Sequence, residues 1–281
     1  MKRLAYLAWS YRNPSSWVKN VTWRRPRTLS DLDCVFVVGA PRSGTTLLQR
    51  VLSSHSQLFS IEGETGLFSL LNLFNVRHFG LPQETLDELF QSSVDVVDFF
   101  SNGVRRLMLD HPGARFIEKT PQHVLRTRFL LKHFPRAKIV NIVRDGRDCF
   151  CSAQSHPHIP QARSIAGFAR YWRSCIRAIE PFADSPRLYT MRYETFCDQP
   201  ESELQKVMQF LDLEFEAGQL DANQIGNDRR AAAAHFERLN ESVGSRSVAR
   251  WRKELPEAQA AAFVTVAGRE LRRFGYEASA S

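Results

Sequence analysis

The segment Gly39-Ala40-Pro41-Arg42-Ser43-Gly44-Thr45-Thr46 has residue types and spacing suited to holding an anion. Its glycines let backbone N–H groups turn inward, and a helix starting just after it presents its positive end to the same point. The frame is that of a phosphate-binding loop, G-x-x-x-x-G-K-[ST], with Thr45 standing where the lysine belongs. In nucleoside triphosphatases that lysine holds the β- and γ-phosphates, so the substitution argues against triphosphate chemistry. Arg42, two residues before the second glycine, suits a nucleotide with its charge distributed differently. A second candidate is Arg144-Asp145-Gly146-Arg147, at the end of an apolar run. Arg144 there can make forked, charge-assisted bonds to a phosphate. Ser152, eight residues on and two helical turns along, can add a hydroxyl.

These residues need a scaffold, and the hydrophobic pattern supplies one. Cys34–Val38 is a continuous apolar run before the glycine loop, and Thr46, Leu47, Leu48, Val51 and Leu52 follow at helical spacing. Arg115–Glu118 reads as a short strand before Lys119-Thr120-Pro121, with a helix through Leu125, Phe129, Leu130 and Phe134. Lys138–Val143 is a β-branched run leading into Arg144, and Leu188–Tyr193 is a last strand before a helix over Leu204–Leu211. Strands alternating with helices predict an α/β chain, a P-loop NTPase-like three-layer fold with a central, mostly parallel sheet and helical insertions. Ligands of such sheets bind at the carboxyl ends of the strands. The polar clusters at Gly39–Thr46, Lys119, Arg144–Arg147 and Tyr193 fall there. Residues 31–281 are expected to form one domain after a basic, aromatic arm at 1–30. Within it, 66–112 reads as a helical insertion capping the cleft, 212–256 as a loop region for substrate or nucleotide, and Glu257–Arg273 as a closing helix.

Composition removes several classes of function. The 281 residues are 43% hydrophobic and 24% charged, which excludes wholesale disorder. No run reaches the roughly 18–20 apolar residues that span a bilayer, and Leu4–Trp9 is too short for a signal peptide core. A cytoplasmic protein is expected. The net charge of +8 invites a nucleic-acid reading, but residues 1–30 hold seven bases and no acid, so the body is close to neutral. Nucleic acid is therefore not expected as a partner. The arm also carries Trp9, Trp17, Trp23, Tyr6 and Tyr11. Bases beside aromatics suit either packing against the body or weak, peripheral contact with anionic membranes. The five cysteines show no paired spacing and read as reduced thiols.

The Pro41–Thr46 segment resembles the 5′-phosphosulfate loop of sulfotransferases that use 3′-phosphoadenosine 5′-phosphosulfate (PAPS). Ile142-Val143-Arg144-Asp145-Gly146-Arg147 with Ser152 is similar to that family's 3′-phosphate segment, in the right order along the chain. The resemblance extends over about residues 33–215. It implies donor binding by Arg42, Ser43, Gly44, Thr45, Thr46, Arg144 and Ser152, sulfuryl transfer to an acceptor hydroxyl, and no required metal. Glu118-Lys119-Thr120-Pro121 resembles the Glu-Lys-[Ser/Thr]-Pro element of Golgi-type carbohydrate sulfotransferases, which makes Lys119, with Arg42, the cation for the leaving oxygen. Ile61-Glu62-Gly63-Glu64-Thr65 lies where the Golgi-type enzymes carry a catalytic glutamate; Glu64-Thr65 matches the pair in tyrosine sulfotransferases, with Glu62 as the second choice. Gly66 stands where those enzymes have a peptide-contacting arginine. Tyr193 matches a nucleotide-contacting tyrosine and reads equally as a core aromatic. Arg246 and Ser247 resemble a C-terminal 3′-phosphate loop. Pro121 stands where small-molecule sulfotransferases place their histidine base, and His123 reads as a cap or surface residue. His55 reads as structural. A P-loop kinase and a non-catalytic nucleotide-binding relative are the alternatives, and the acceptor is open among a carbohydrate, a lipid-linked hydroxyl, a peptide tyrosine and a small metabolite.

Overall fold

The computed structural model describes residues 18–19, 22–23, 25–69, 79–154, 156, 159–221 and 247–276. Its centre is strand β1 (Val35–Gly39), whose apolar residues are fully covered on both sides. Period-two alternation sorts them into two layers. Phe36 and Val38 face one apolar cluster, and Val35 and Val37 face the other. Being buried on both faces is what a parallel sheet requires, and it explains why β1 reads as a run rather than as an alternation.

Five strands form the sheet in the order β2-β3-β1-β4-β5, and every pairing is parallel. They are β1, β2 (Leu58–Ser60), β3 (Arg115–Lys119), β4 (Lys138–Val143) and β5 (Leu188–Arg192). Four were expected from sequence, and the three-residue edge strand β2 was not. The mostly parallel sheet is wholly parallel. Helices α1 (Thr45–Ser53) and, later in the chain, Pro200–Phe210 cover one face through Leu48, Val51, Leu52, Leu204, Val207 and Met208.

Helices α2 (Gln83–Ser92) and α3 (Val96–Met108) belong to the 66–112 segment. Helix α3 lies on the opposite face, with Phe100 against Phe36 at a ring distance of 5.9 Å. Residues 70–78 of that segment lie outside the described residues. The same face carries α4 (Thr127–His133), α5 (Gly146–Gln154) and α6 (Ile165–Ile179). Beyond β5 come α7 (Tyr193–Asp198), α8 (Pro200–Phe210), α9 (Trp251–Glu254) and the expected closing helix α10 (Glu257–Arg273). The β1 connection leaves toward β2 and the β4 connection toward β5, so the loops after β1 and β4 part and open a crevice. The Gly39–Thr46 and Arg144–Arg147 segments lie at this switch point.

The described part of the N-terminal arm is packed. Trp23 is buried between Phe90 and Phe99, at ring distances of 4.9 and 5.7 Å. The Lys19 ammonium donates to the carbonyls of Phe90 and Gln91 at the end of α2. Asp95, the cap of α3, accepts from the N–H groups of Val97 and Asp98 and also from the N–H groups of Arg27 and Thr28 and the Thr28 hydroxyl. One carboxylate thus closes a helix end and clips the arm to it. Burial alone would raise this carboxyl, but the hydrogen bonds from Thr28, Asp98 and Arg27 outweigh it and hold the group below the ordinary aspartate value.

Replacing Asp95 by alanine is expected to cost about 2–3 kcal/mol in urea unfolding, more than a simple cap, because arm donors are orphaned as well. The folded-state value is depressed, so this stabilisation is present above the ordinary aspartate pKa of about 3.9 and fades as pH falls through the lower folded value. Wild type and Asp95→Ala should therefore converge in stability in acid.

All five cysteines are unpaired and buried, and burial pushes the thiols of Cys34, Cys149 and Cys175 upward, away from reactive thiolates.

Candidate active site

The turn after β1 is shaped by two left-handed residues, Arg42 at φ 69° and Gly44 at φ 104°. Gly39 sits at the crossing with β4, where a Cβ would lie 2.5 Å from the Ile142 carbonyl and 2.6 Å from Ser43 Oγ. A Cβ on Gly44 would lie 2.6 Å from the ring of Tyr193. Among the described residues, no side chain caps α1 at Gly44, so its first N–H groups keep their capacity for a ligand. Ser43 Oγ is buried and has no hydrogen-bond partner among the described residues. A loop with a buried orphan hydroxyl beneath an uncapped helix start fits an anion.

Arg144 and Ser152, expected to share one phosphate, both converge on Arg42. Arg144 Nη1 donates to the Arg42 carbonyl at 3.1 Å, and Arg42 Nε donates to Ser152 Oγ at 3.0 Å. Arg144 Nη2 donates to the Ser247 carbonyl, its Nε is buried without a partner among the described residues, and its guanidinium lies 4.6 Å from the Tyr193 ring centroid. Burial and the adjacent Arg144 charge push the Arg42 guanidinium below its ordinary value, so the pair would gain from an anion between them. Tyr193 packs against both Gly44 and Arg144.

Ser247 is drawn in by Asp148 of α5, a residue to which sequence reasoning gave no role. Its two carboxyl oxygens accept from the N–H groups of Ala249 at 2.8 Å and Trp251 at 2.9 Å. Burial raises this carboxyl to about 6. Arg147, paired with Asp145, stacks 3.7 Å over the Trp251 ring and completes the clamp. Arg246 lies outside the described residues.

At the end of β3, Lys119 is paired in register with Val37, two residues before Gly39. Its ammonium lies 2.9 Å from Glu64 Oε1; the lysine side chain is 5% exposed and the glutamate side chain 45%. Glu62 is exposed and makes no hydrogen bond or ion pair among the described residues. The geometry therefore separates the two glutamates: Glu64 faces the lysine and Glu62 does not.

His123 is not a cap or surface residue. It is fully buried on the 3₁₀ turn Pro121–Arg126, and its Nδ1 lies 2.8 Å from Glu118 Oε2. The spacing predicts the start of a regular helix here, whereas the 3₁₀ turn aims the ring inward. Burial would raise the Glu118 carboxyl, but His123, Thr120 and Thr65 together hold it below the ordinary glutamate value. His55 is structural as expected: its Nδ1 accepts from the Gln57 N–H and its Nε2 meets the Glu214 carbonyl.

A model of the sulfotransferase family matches residues 34–217. The chain is 25% identical over 268 residues to protein-tyrosine sulfotransferase A of Caenorhabditis elegans, covering 88% of this chain and 68% of that protein. It is 24% identical over 269 residues to protein-tyrosine sulfotransferase 1 of Danio rerio, covering 89% and 74%. The sulfotransferase domain of the Synechococcus PCC 7002 olefin synthase shares the fold, with a TM-score of 0.68 at 20% identity over 91% of this chain and 98% of that one. So does mouse sulfotransferase SULT7A1, solved in complex with PAP, with a TM-score of 0.54 at 15% identity over 87% and 86%. The family match takes in all five strands, with Lys119 at the end of β3, and the loops that carry Arg42, Glu64 and Arg144, and this chain belongs to the sulfotransferase family.

Proposed function

We propose that this sulfotransferase draws on PAPS and sulfates an acceptor hydroxyl, with Glu64 as general base and Lys119 and Arg42 as the cations beside it. The observation that carries the reading is the Lys119–Glu64 pair of 2.9 Å at the strand end next to the anion-holding loop. Ser43, Gly44, Thr45 and Thr46 would hold the 5′ end of the donor, and Arg144 and Ser152, with Tyr193 and the Ser247 segment, its 3′ end. The orphaned Ser43 Oγ and Arg144 Nε fit that assignment. Bound there, the donor supplies an activated sulfuryl group.

The rest falls to side chains of this chain. Glu64 Oε1 takes the acceptor proton, and its exposed half gives the acceptor access. Lys119 Nζ orients the carboxylate before reaction and leaves fixed positive charge beside it. Arg42, held from both ends by Arg144 and Ser152, adds a second cation whose position costs nothing to organise at the moment of reaction. Thr45 in place of the P-loop lysine disfavours the kinase alternative. The family resemblance leaves the acceptor open among hydroxyl compounds, and Gly66 removes one contact that peptide-directed relatives use.

Donor choice is tested by following consumption of PAPS with chelator present against consumption of ATP with Mg²⁺, each with a pooled acceptor set. PAP release that depends on acceptor is the expected result. ATP turnover with no response to PAPS would return the kinase reading, and PAPS binding without turnover the non-catalytic one. Peripheral contact with anionic membranes falls to residues 1–17, because Lys19 and Trp23 are already engaged. Liposome sedimentation of the full chain and a Δ1–17 chain should show weak, salt-sensitive pelleting of the full chain alone. Equal, negligible pelleting would leave the arm as a packing element.

A further inference from the structure

Glu118 is a fully buried carboxylate set in register beside Phe36, in the layer that also holds Phe68, Phe100 and Phe134. A charge in such surroundings is costly unless every oxygen is satisfied. Here Oε1 accepts the hydroxyls of Thr65 and Thr120, each at 2.7 Å, and Oε2 meets His123 Nδ1 at 2.8 Å. Each of the three partners is tied to one turn. Thr65 belongs to it, Thr120 Oγ1 accepts from the Gly66 N–H at 3.1 Å, and His123 Nε2 accepts from the Phe68 N–H at 3.2 Å. The accepting Nε2 carries no proton, so the ring proton sits on Nδ1 and points at Glu118. That turn begins one residue after Glu64. Lys119, the next residue after Glu118 in β3, projects to the other side of the strand and meets Glu64.

We propose that Glu118, acting through His123, Thr65 and Thr120, is a positioning residue that hangs the Glu64 turn from the end of β3 and so sets the separation of Glu64 from Lys119. Consecutive residues of one strand thereby fix both ends of the pair. Its kinetic consequence rests on the reading of Glu64 as base; its hydrogen-bond pattern does not.

Glu118→Gln is the informative change, because it keeps size and replaces one acceptor by a donor. The amide oxygen can still accept from both threonines, but the amide N–H then faces His123 Nδ1–H. If the ring shifts its proton to Nε2, that proton faces the Phe68 N–H instead. With the amide turned over, its oxygen serves His123 but its N–H groups face Thr65 Oγ1 and Thr120 Oγ1, which already accept from the Leu67 and Gly66 N–H groups and whose own protons then lose their acceptor. Each arrangement leaves a buried donor unpaired, and the turn is displaced.

The expected result is a fall in kcat of roughly 10- to 100-fold, the scale of a misplacement near 1 Å, with the acceptor KM and PAP affinity unchanged. His123→Ala should fall similarly. His123→Asn, which can keep a donor for Glu118, should recover most of the rate. If Glu118→Gln does not fold, the His123 pair gives the same reading. Wild-type kcat in Glu118→Gln or His123→Ala, no recovery in His123→Asn, or a parallel loss of PAP affinity would overturn the proposal. Nitrogen-15 NMR of the histidine rings supplies an arm independent of turnover. His123 should be the Nδ1–H tautomer in the wild type, and the Gly66 and Phe68 amides should exchange faster in His123→Ala. An Nε2–H tautomer, or unchanged exchange, would overturn the positioning role. Absence of any sulfuryl transfer by a wild type showing the expected tautomer and exchange would instead overturn the reading of Glu64.

Discussion

Replacing Glu64 by glutamine is expected to lower turnover by roughly 10²- to 10⁴-fold, the usual worth of a general base, while PAP affinity holds. The amide oxygen can still accept from Lys119 Nζ, which lies 2.9 Å from Glu64 Oε1, so the change removes proton affinity more than geometry. Glu62→Gln should leave turnover close to wild type, because Glu62 is exposed and engages no partner among the described residues. The reverse pattern, a large loss at Glu62 and a small one at Glu64, would mean that the ion pair is only structural. Lys119→Ala should also lose more rate than nucleotide affinity, since its charge matters most where negative charge develops. Steady-state kinetics with calorimetric titration of PAP separates these outcomes.

The second large effect is expected at Arg144. Arg144→Ala should weaken PAP binding by roughly 10- to 100-fold, the scale of lost hydrogen bonds to a charged group, and weaken adenosine 5′-phosphate binding far less. The difference isolates the 3′-phosphate, which the second ligand lacks. Some loss for both ligands is expected, because Arg144 also supports the Arg42 and Ser247 carbonyls. Ser152→Ala should show a smaller but equally selective loss, since Ser152 is assigned a single hydroxyl contact to the same 3′-phosphate. Equal losses for the two ligands in calorimetry would remove Arg144 from the 3′-phosphate assignment.

What the sequence disclosed and what it hid have physical causes. The glycine loop and the Arg144 segment were legible because each is a local device: a strand, a turn and a helix start close together in sequence, the first turn being built on left-handed Arg42 and Gly44. Central strand β1 was legible because two-sided burial leaves an uninterrupted apolar run. Edge strand β2 was hidden because Leu58–Ser60 is too short to show a period. The convergence on Arg42 was hidden because its partner Ser152 lies 110 residues away. Glu118 was noticed only as part of a motif, since its partner Thr65 lies 53 residues away across an insertion. His123 was misread because a 3₁₀ turn, not an α-helix, sets its direction. Trp23 illustrates the opposite limit: its composition suited both a membrane surface and a core, and only its contacts with Phe90 and Phe99 decide for the core.

The most direct test of PAPS-dependent transfer to a hydroxyl is the fate of the sulfur itself. Sulfur-labelled PAPS should be incubated with the wild-type chain and pooled glycan, lipid, peptide and small-molecule hydroxyl acceptors, and the labelled products identified by mass. The expected result is label in an acceptor as an added sulfuryl group on oxygen, formed with one PAP per product and abolished by Glu64→Gln. Label remaining wholly in PAPS across every acceptor pool, with the nucleotide nonetheless bound, would contradict it.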